Sequence, residues 1–304
     1  MTTTLRQGFG LACLALPALL GCQSPGPTPT ESLQVKQMQV NGVDIAYVEE
    51  GRGDTVVFVH GAEGDWRTYE GIRPWISAKY HYVAYSRRYH HPNAWADDGS
   101  RYSVDQHIED LAEFIRGLEV DRVHLVGNSY AGRMAGLFAL KYPELLRSVV
   151  LGDSSLIPPG TAEGRAAMDA IRQDMAKAGA AAKAGDADRA AMLVWDAVNQ
   201  PYTFEKAPPG QQKRWLENAR TTGPMLSGPA PKAVSCGQVM AIKVRVAVIT
   251  GALSRDGYRF GNEALLQCLP AGTPYLQIPE AHHKWNEENP DAAGKALLDF
   301  LAQK

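Results

Sequence analysis

The chain has 304 residues, room for one large domain or two small ones. Hydrophobic residues make up 45% and charged residues 21%, so a core can close without disulfides or metals as staples. A formal net charge of −2, with no block of like charges, leaves no electrostatic basis for binding nucleic acid or for a charged interaction tail.

The first thirty residues do not read as part of the fold. Arg6 is the only charged side chain among them, and an apolar run follows from Leu11 to Leu20, broken by Pro17. That run is too short for a hydrocarbon core of about 30 Å, and it reads as the apolar part of a secretory signal. The next residues, Leu19-Leu20-Gly21-Cys22, resemble a bacterial lipobox. The resemblance implies a signal peptide over 1–21, cleavage before Cys22 and lipid on its thiol and new amino terminus. An ordinary signal with a chance cysteine is the plainer alternative. Residues 22–33 then form a tether, with three prolines between Gln23 and Thr30 favouring an extended, semi-rigid spacer. The expectation is an exported lipoprotein on the periplasmic side, with Gln23 after Cys22 pointing to the outer membrane. Of the 4 cysteines, Cys13 leaves with the signal and Cys22 is lipidated. Cys236 and Cys268 remain, either as a disulfide or as two separate buried thiols.

From residue 34 the pattern alternates. Val35–Val40 and Val43–Tyr47 flank Asn41-Gly42, a two-residue hairpin signal. Thr55–Val59 and Tyr80–Tyr85 read as short buried strands. Over Ser103–Leu118, Val104, Ile108, Leu111, Phe114, Ile115 and Leu118 fall on one helical stripe. A strand at Val123–Val126, a helix at Tyr130–Lys141 and a strand at Ser148–Leu151 follow. Strands alternating with helices predict a mostly parallel sheet covered on both faces. Residues 157–235 break the alternation: they are Ala-rich and helical over Thr161–Val198, then punctuated at Pro208-Pro209-Gly210 and Ser227–Pro231. The alternation resumes with a strand at Val244–Thr250, a helix at Asn262–Cys268, a strand at Pro274–Ile278 and a helix at Pro290–Ala302.

Chemistry concentrates where a buried strand ends at Gly127 and a helix opens past Ser129. The residues His124–Gly132 read His-Leu-Val-Gly-Asn-Ser-Tyr-Ala-Gly. A serine held in a tight, strained turn needs small neighbours two positions before and after it, here Gly127 and Ala131. The helix N-terminus beyond offers free N–H groups to a developing negative charge. An ordinary helix-capping serine is the plainer reading.

From about residue 40 onward the chain resembles the α/β-hydrolase superfamily. The resemblance implies a mostly parallel central sheet flanked by helices, with the core over 34–156 and 236–304 and a helical cap over 157–235. Val57-Phe58-Val59-His60-Gly61 looks like the third strand and His-Gly oxyanion turn of that family, which maps the oxyanion N–H donors to Ala62 and Tyr130. Trp66 sits where the family often carries an aromatic residue. Ile278-Pro279-Glu280-Ala281-His282-His283 resembles the turn that carries the base, which places it at His283, with His282 as the alternative. The acid departs from the commonest pattern. Its usual slot after the seventh strand holds Ser254, and the resemblance then implies Asp153, directly after the preceding strand, as the acid, with Asp256, two residues on from Ser254, as the alternative.

Ser129 argues for acyl transfer, because alkyl–enzyme chemistry in this family needs a carboxylate at that position. No metal-ligand spacing and no phosphate-binding glycine loop occurs, so no cofactor is expected. His60, Arg87, Arg88 and Trp66 are candidates to meet substrate; the blander reading is that His60 holds loops and the arginines pair with acidic neighbours. Trp195, Tyr202, Trp215 and Met225 either roof an apolar pocket or pin the cap to the core. The leading reading is an esterase or lactonase acting on a small, partly apolar ester. A C–C bond or amide hydrolase on the same triad, and a non-catalytic binding lipoprotein that keeps the fold, are the alternatives. Nothing in the sequence sets an oligomeric state.

Overall fold

A computed structural model describes residues 1–2, 33–200, 202–228 and 234–303. The segment read as signal, with Cys22 and nearly all of the tether, lies outside the described residues. No helix among the described residues is long and apolar enough to cross a membrane.

The sheet has eight strands: β1 (Lys36–Val40), β2 (Val43–Glu50), β3 (Thr55–Val59), β4 (His81–Tyr85), β5 (Val123–Asn128), β6 (Leu146–Gly152), β7 (Arg245–Gly251) and β8 (Tyr275–Ile278). Their spatial order is β1-β2-β4-β3-β5-β6-β7-β8. Asn41 and Gly42 take φ of 46° and 80°, the left-handed backbone that a two-residue hairpin demands, and Val40 pairs with Val43. β2 also runs antiparallel to β4, whereas every pairing from β4 through β8 is parallel.

Every residue of β3 and β5 is buried, as expected of central parallel strands covered on both faces. Side chains alternate between two cores. Val57 and Val59 face one, with Phe114 and Phe138; Val56 and Phe58 face the other, with Trp285 and Phe300. The flanking helices are α1 (Arg73–Ser77), α2 (Val104–Gly117) and α3 (Tyr130–Lys141). Ser103 starts α2 by accepting a hydrogen bond from the Gln106 N–H, and the expected stripe is its buried face.

Between β6 and β7 the chain forms α4 (Ala162–Lys183), α5 (Ala187–Asn199), α6 (Pro209–Glu217) and α7 (Thr222–Ser227). The helical run expected over Thr161–Val198 is in fact two helices. Gly185, at φ 83°, turns the chain, and Asp186 caps the second helix. This insertion has a core of its own, in which Trp195 meets Trp215 edge to face at 5.0 Å. Polar bonds dock it on the loop after β3: Asn218 donates to Asp65 at 2.9 Å, and Thr222 to Glu63 at 2.6 Å.

The chain returns through α8 (Cys236–Met240), α9 (Asp256–Cys268), α10 (Trp285–Glu288) and α11 (Pro290–Leu301). Cys236 is joined to Cys268, with their Cα atoms 5.1 Å apart and a sequence separation of 32. A loop of that length gives a crosslink worth about 3–4 kcal/mol by chain entropy. Cys236→Ser is therefore expected to lower unfolding free energy by about 2–4 kcal/mol in urea titration, with the same loss in wild type under a reductant.

Parallel sheets of this kind place their sites where the strand order reverses. Here β3 leads to β4 on one side while β5 lies on the other. The loops leaving β3 and β5 therefore diverge and open a crevice at their carboxyl ends.

Candidate active site

Ser129 occupies that crevice. Its φ of 60° and ψ of −122° are strained for a side-chain-bearing residue. The strain is held from outside: its N–H donates to the Gly152 carbonyl at 2.8 Å, and its own carbonyl accepts from the Arg133 N–H at 3.1 Å. A Cβ on Gly127 would collide with the Ala131 carbonyl, and Ala131 itself is fully buried. A third small residue, Gly132, is equally required, because a Cβ there would strike the Gly152 carbonyl. No local pattern marks it in the sequence; the constraint comes from a strand twenty residues away.

The turn after β3 lies directly against this elbow. A Cβ on Gly61 would stand 3.0 Å from the Asn128 carbonyl and 3.3 Å from the Ser129 Cβ. Gly61 and Ala62 line the cavity beside Ser129, and Tyr130 opens α3, where N–H groups have no intrahelical acceptor.

His283 enters from the loop after β8. Its Nδ1 lies 2.9 Å from Asp153 Oδ2, and both side chains are essentially unexposed. Its Nε2 is buried without a hydrogen-bond partner and belongs to the ring that lines the cavity with Ser129. The ring stacks on Tyr258 at 4.2 Å, and the His283 carbonyl accepts from Asn128 Nδ2 at 2.9 Å. His282 points away, with Nδ1 2.9 Å from Glu288 and its ring stacked on Tyr202.

Asp153 stands just past β6 at φ 37°. Besides His283, its carboxylate accepts from Ser254 Oγ at 3.0 Å and from Asn262 Nδ2 at 2.9 Å. Because β6 and β7 are neighbours, Ser254 comes within hydrogen-bond reach of the carboxylate at 153. Asp256 does not approach the histidine. It begins α9 with its side chain 67% exposed and pairs with Arg259 at 3.0 Å.

The residues read as candidates for substrate contact lie elsewhere. His60 is buried; its Nδ1–H donates to the Gly61 carbonyl at 2.9 Å and its Nε2 accepts from the Arg87 N–H at 2.9 Å. Burial and the Arg87 charge hold its pKa well below the ordinary range, so it stays neutral. Arg88 is buried on Asp110 through two bonds of 2.7 and 2.8 Å. Arg87 is buried on backbone carbonyls, with Nη2 2.8 Å from the Gly61 oxygen. Trp66 packs on the core that contains Phe58 and Trp285, its backbone N–H donating to Ser86 Oγ. None of the four lines the cavity beside Ser129, and the chain leaving β4 turns inward and buries Ser86, Arg87 and Arg88.

The cavity encloses about 50 Å³. Met175, Val194, Val198 and Trp215 of the insertion close it on the apolar side. Lys284 also lines it, its Nζ 2.8 Å from Glu287 and 4.5 Å from the centre of the Trp215 ring. Lys284 and Tyr258 were not among the residues expected from sequence; for Lys284, adjacency to His283 was the available signal. Among the described residues no cluster of His, Cys, Asp or Glu could hold a metal ion.

Glu63, beside Ala62, is a buried carboxyl whose Oε2 has no partner. Burial raises its pKa from 4.5 to about 7, against the hydrogen bond from Thr222 and the charges of Lys284 and Arg87. The native state thus binds this proton more tightly than the unfolded chain does. Stability is therefore expected to fall by about 3 kcal/mol as pH rises through that window. Denaturant titrations of Glu63→Gln across the same window should show a flatter pH profile than wild type.

The family model for the alpha/beta hydrolase fold matches residues 54–226. The 2-hydroxy-6-oxo-2,4-heptadienoate hydrolase of Pseudomonas putida is 30% identical over 129 residues, covering 38% of this chain and 43% of that protein. A putative 2-succinyl-6-hydroxy-2,4-cyclohexadiene-1-carboxylate synthase of Bacillus subtilis is 27% identical over 215 residues, covering 67% of this chain and 74% of that protein. The chain thus spans less than half of the first relative and about three quarters of the second. Among solved structures, carboxylesterase CesB of Bacillus subtilis superposes with a TM-score of 0.70 at 14% identity, covering 90% of this chain and 92% of that one. The enol-lactonase of Burkholderia xenovorans gives 0.66 at 20% identity, over 88% and 100%. With more than half of its residues matched by the family model and an elbow, sheet order and insertion arranged as described, this chain belongs to the α/β-hydrolase fold family.

Proposed function

We propose that this protein is a serine hydrolase that cleaves an ester or lactone of a small, partly apolar substrate through an acyl-enzyme. In this reading Ser129 is the nucleophile, His283 the base and Asp153 the carboxylate that orients it. One observation carries it: Ser129 and the unpartnered Nε2 of His283 converge on one cavity, with Asp153 2.9 Å behind Nδ1. Ser129 Oγ attacks the carbonyl carbon while Nε2 takes its proton. Asp153 stabilises the imidazolium, which then protonates the departing alcohol; water repeats the sequence to release the acid. The backbone N–H groups of Ala62 and Tyr130 receive the oxyanion. A cavity of about 50 Å³ has space for roughly three or four water-sized groups, which suits a short acyl chain.

C–C bond hydrolysis on the same triad is the second reading, favoured by the similarity to the Pseudomonas putida hydrolase. The test is to react the purified protein, lacking residues 1–22, with a fluorophosphonate probe, p-nitrophenyl acetate and a 2-hydroxy-6-oxo-dienoate. Labelling with ester turnover supports the esterase reading, and turnover of the dienoate alone supports the second. A folded protein that is neither labelled nor active sinks both and leaves a binding module.

The lipobox-like Leu19-Leu20-Gly21-Cys22 and the proline-rich run after it support export and lipid anchoring at Cys22. Cys22→Ser is expected to move the protein from the membrane to the soluble fraction on cell fractionation. Unchanged sedimentation with membranes contradicts the anchor.

A further inference from the structure

We propose that Arg87 is a positioning residue for the oxyanion hole: one buried guanidinium holds both the Gly61–Ala62 peptide and Tyr130 in place. The proposal rests on Ser129 acting as the nucleophile.

An arginine in a protein interior ordinarily faces a carboxylate, since an uncompensated buried charge costs several kcal/mol. Arg88 obeys this rule on Asp110. Arg87, equally buried, does not: its hydrogen-bond partners are two carbonyls, a phenol and an imidazole. Nε donates to the His60 carbonyl at 3.2 Å, and Nη2 to the Gly61 carbonyl at 2.8 Å. Nη1 donates to Tyr102 Oη at 3.3 Å and to His107 Nδ1 at 3.0 Å. The fold retains this charge where the turn after β3 passes beneath the elbow.

The Gly61 carbonyl oxygen belongs to the same planar peptide as the Ala62 N–H. In a trans peptide the two point in opposite directions, so fixing the oxygen fixes the direction of the N–H. The oxygen is held twice, by Arg87 and by His60 Nδ1–H at 2.9 Å. A charged donor on the oxygen also polarises the amide and strengthens its N–H as a donor.

The second arm reaches Tyr130. The guanidinium carbon lies 4.4 Å from the centre of its ring, within cation–π range. The Tyr130 hydroxyl lies 3.0 Å from His107 Nδ1, the same nitrogen that faces the Arg87 guanidinium. Both residues assigned to the oxyanion therefore rest on one planar cation. Lysine, a point charge without the fork or the stacking face, cannot replace it.

The test uses Arg87→Lys and Arg87→Ala, with circular dichroism and thermal melts to confirm folding. On p-nitrophenyl acetate, kcat is expected to fall on the order of 10- to 100-fold while KM stays within about twofold. Affinity for a boronic acid, which forms a tetrahedral adduct on serine, should fall by a similar factor. Guanidinium ion at non-denaturing concentration should restore part of kcat to Arg87→Ala and none to Arg87→Lys. Folded variants with unchanged kcat, or with raised KM alone, overturn the proposal. Should neither variant fold, the carbonyl 13C resonance of Gly61 in wild type decides: a position downfield of ordinary glycine carbonyls supports it, and an ordinary position overturns it. A wild type without fluorophosphonate labelling fails the reading of Ser129 and this proposal together, whereas a labelled wild type with indifferent variants fails this proposal alone.

Discussion

Ser129→Ala is expected to lower kcat on ester substrates by about a million-fold, because nucleophile and base act as a unit and neither retains value alone. Stopped assays at high enzyme concentration measure it, and residual turnover above about one part in a thousand refutes the assignment. The backbone adds a second expectation. Alanine inherits the φ of 60°, so Ser129→Ala should unfold near the wild-type midpoint. Glycine adopts that backbone freely, and relief of strain outweighs its greater freedom when unfolded. Ser129→Gly should therefore be inactive yet more stable by about 1 kcal/mol, the signature of a site that spends stability on geometry.

How much of this was legible in the sequence follows the range of each constraint. The elbow was readable because the clash that demands Gly127 and Ala131 is local, two residues on either side of Ser129. The requirement at Gly132 arises from Gly152 on the adjoining strand, and no local pattern carries it. The hairpin at Asn41-Gly42 is equally local, fixed by two left-handed residues. By contrast, Arg87 and Arg88 come after a strand as a polar pair would at a surface. Only the inward course of the chain after β4 sets one against Asp110 and the other against the turn at Gly61. The insertion announced its helices through composition, but its roofing of Ser129 by Met175 and Trp215 depends on docking bonds such as Asn218 to Asp65.

The acid shows the same limit most sharply. Sequence distance favours neither Asp153 nor Asp256, since each lies far along the chain from His283. The pairing of β6 with β7 is what brings position 153 beneath the histidine and lets Ser254 donate to it. Asp153→Asn is therefore expected to reduce kcat by about ten-thousand-fold near neutral pH. An amide in that place can donate as well as accept, and it admits the histidine tautomer that carries its proton on Nε2, where the serine proton must go. Asp256→Asn removes only an exposed pair with Arg259 and should change kcat by less than about twofold. Ser254→Ala lies between: it takes one donor from a carboxylate that keeps Asn262, so a loss of roughly tenfold or less is expected, from a hydrogen bond to a charged group worth about 1.5 kcal/mol. Steady-state rates of the three variants on one ester order them. Equal losses for Asp153→Asn and Asp256→Asn would remove Asp153 from the relay, and a loss at Ser254 as deep as that at Asp153 would mean that the serine hydroxyl, rather than the carboxylate alone, sets the orientation of His283.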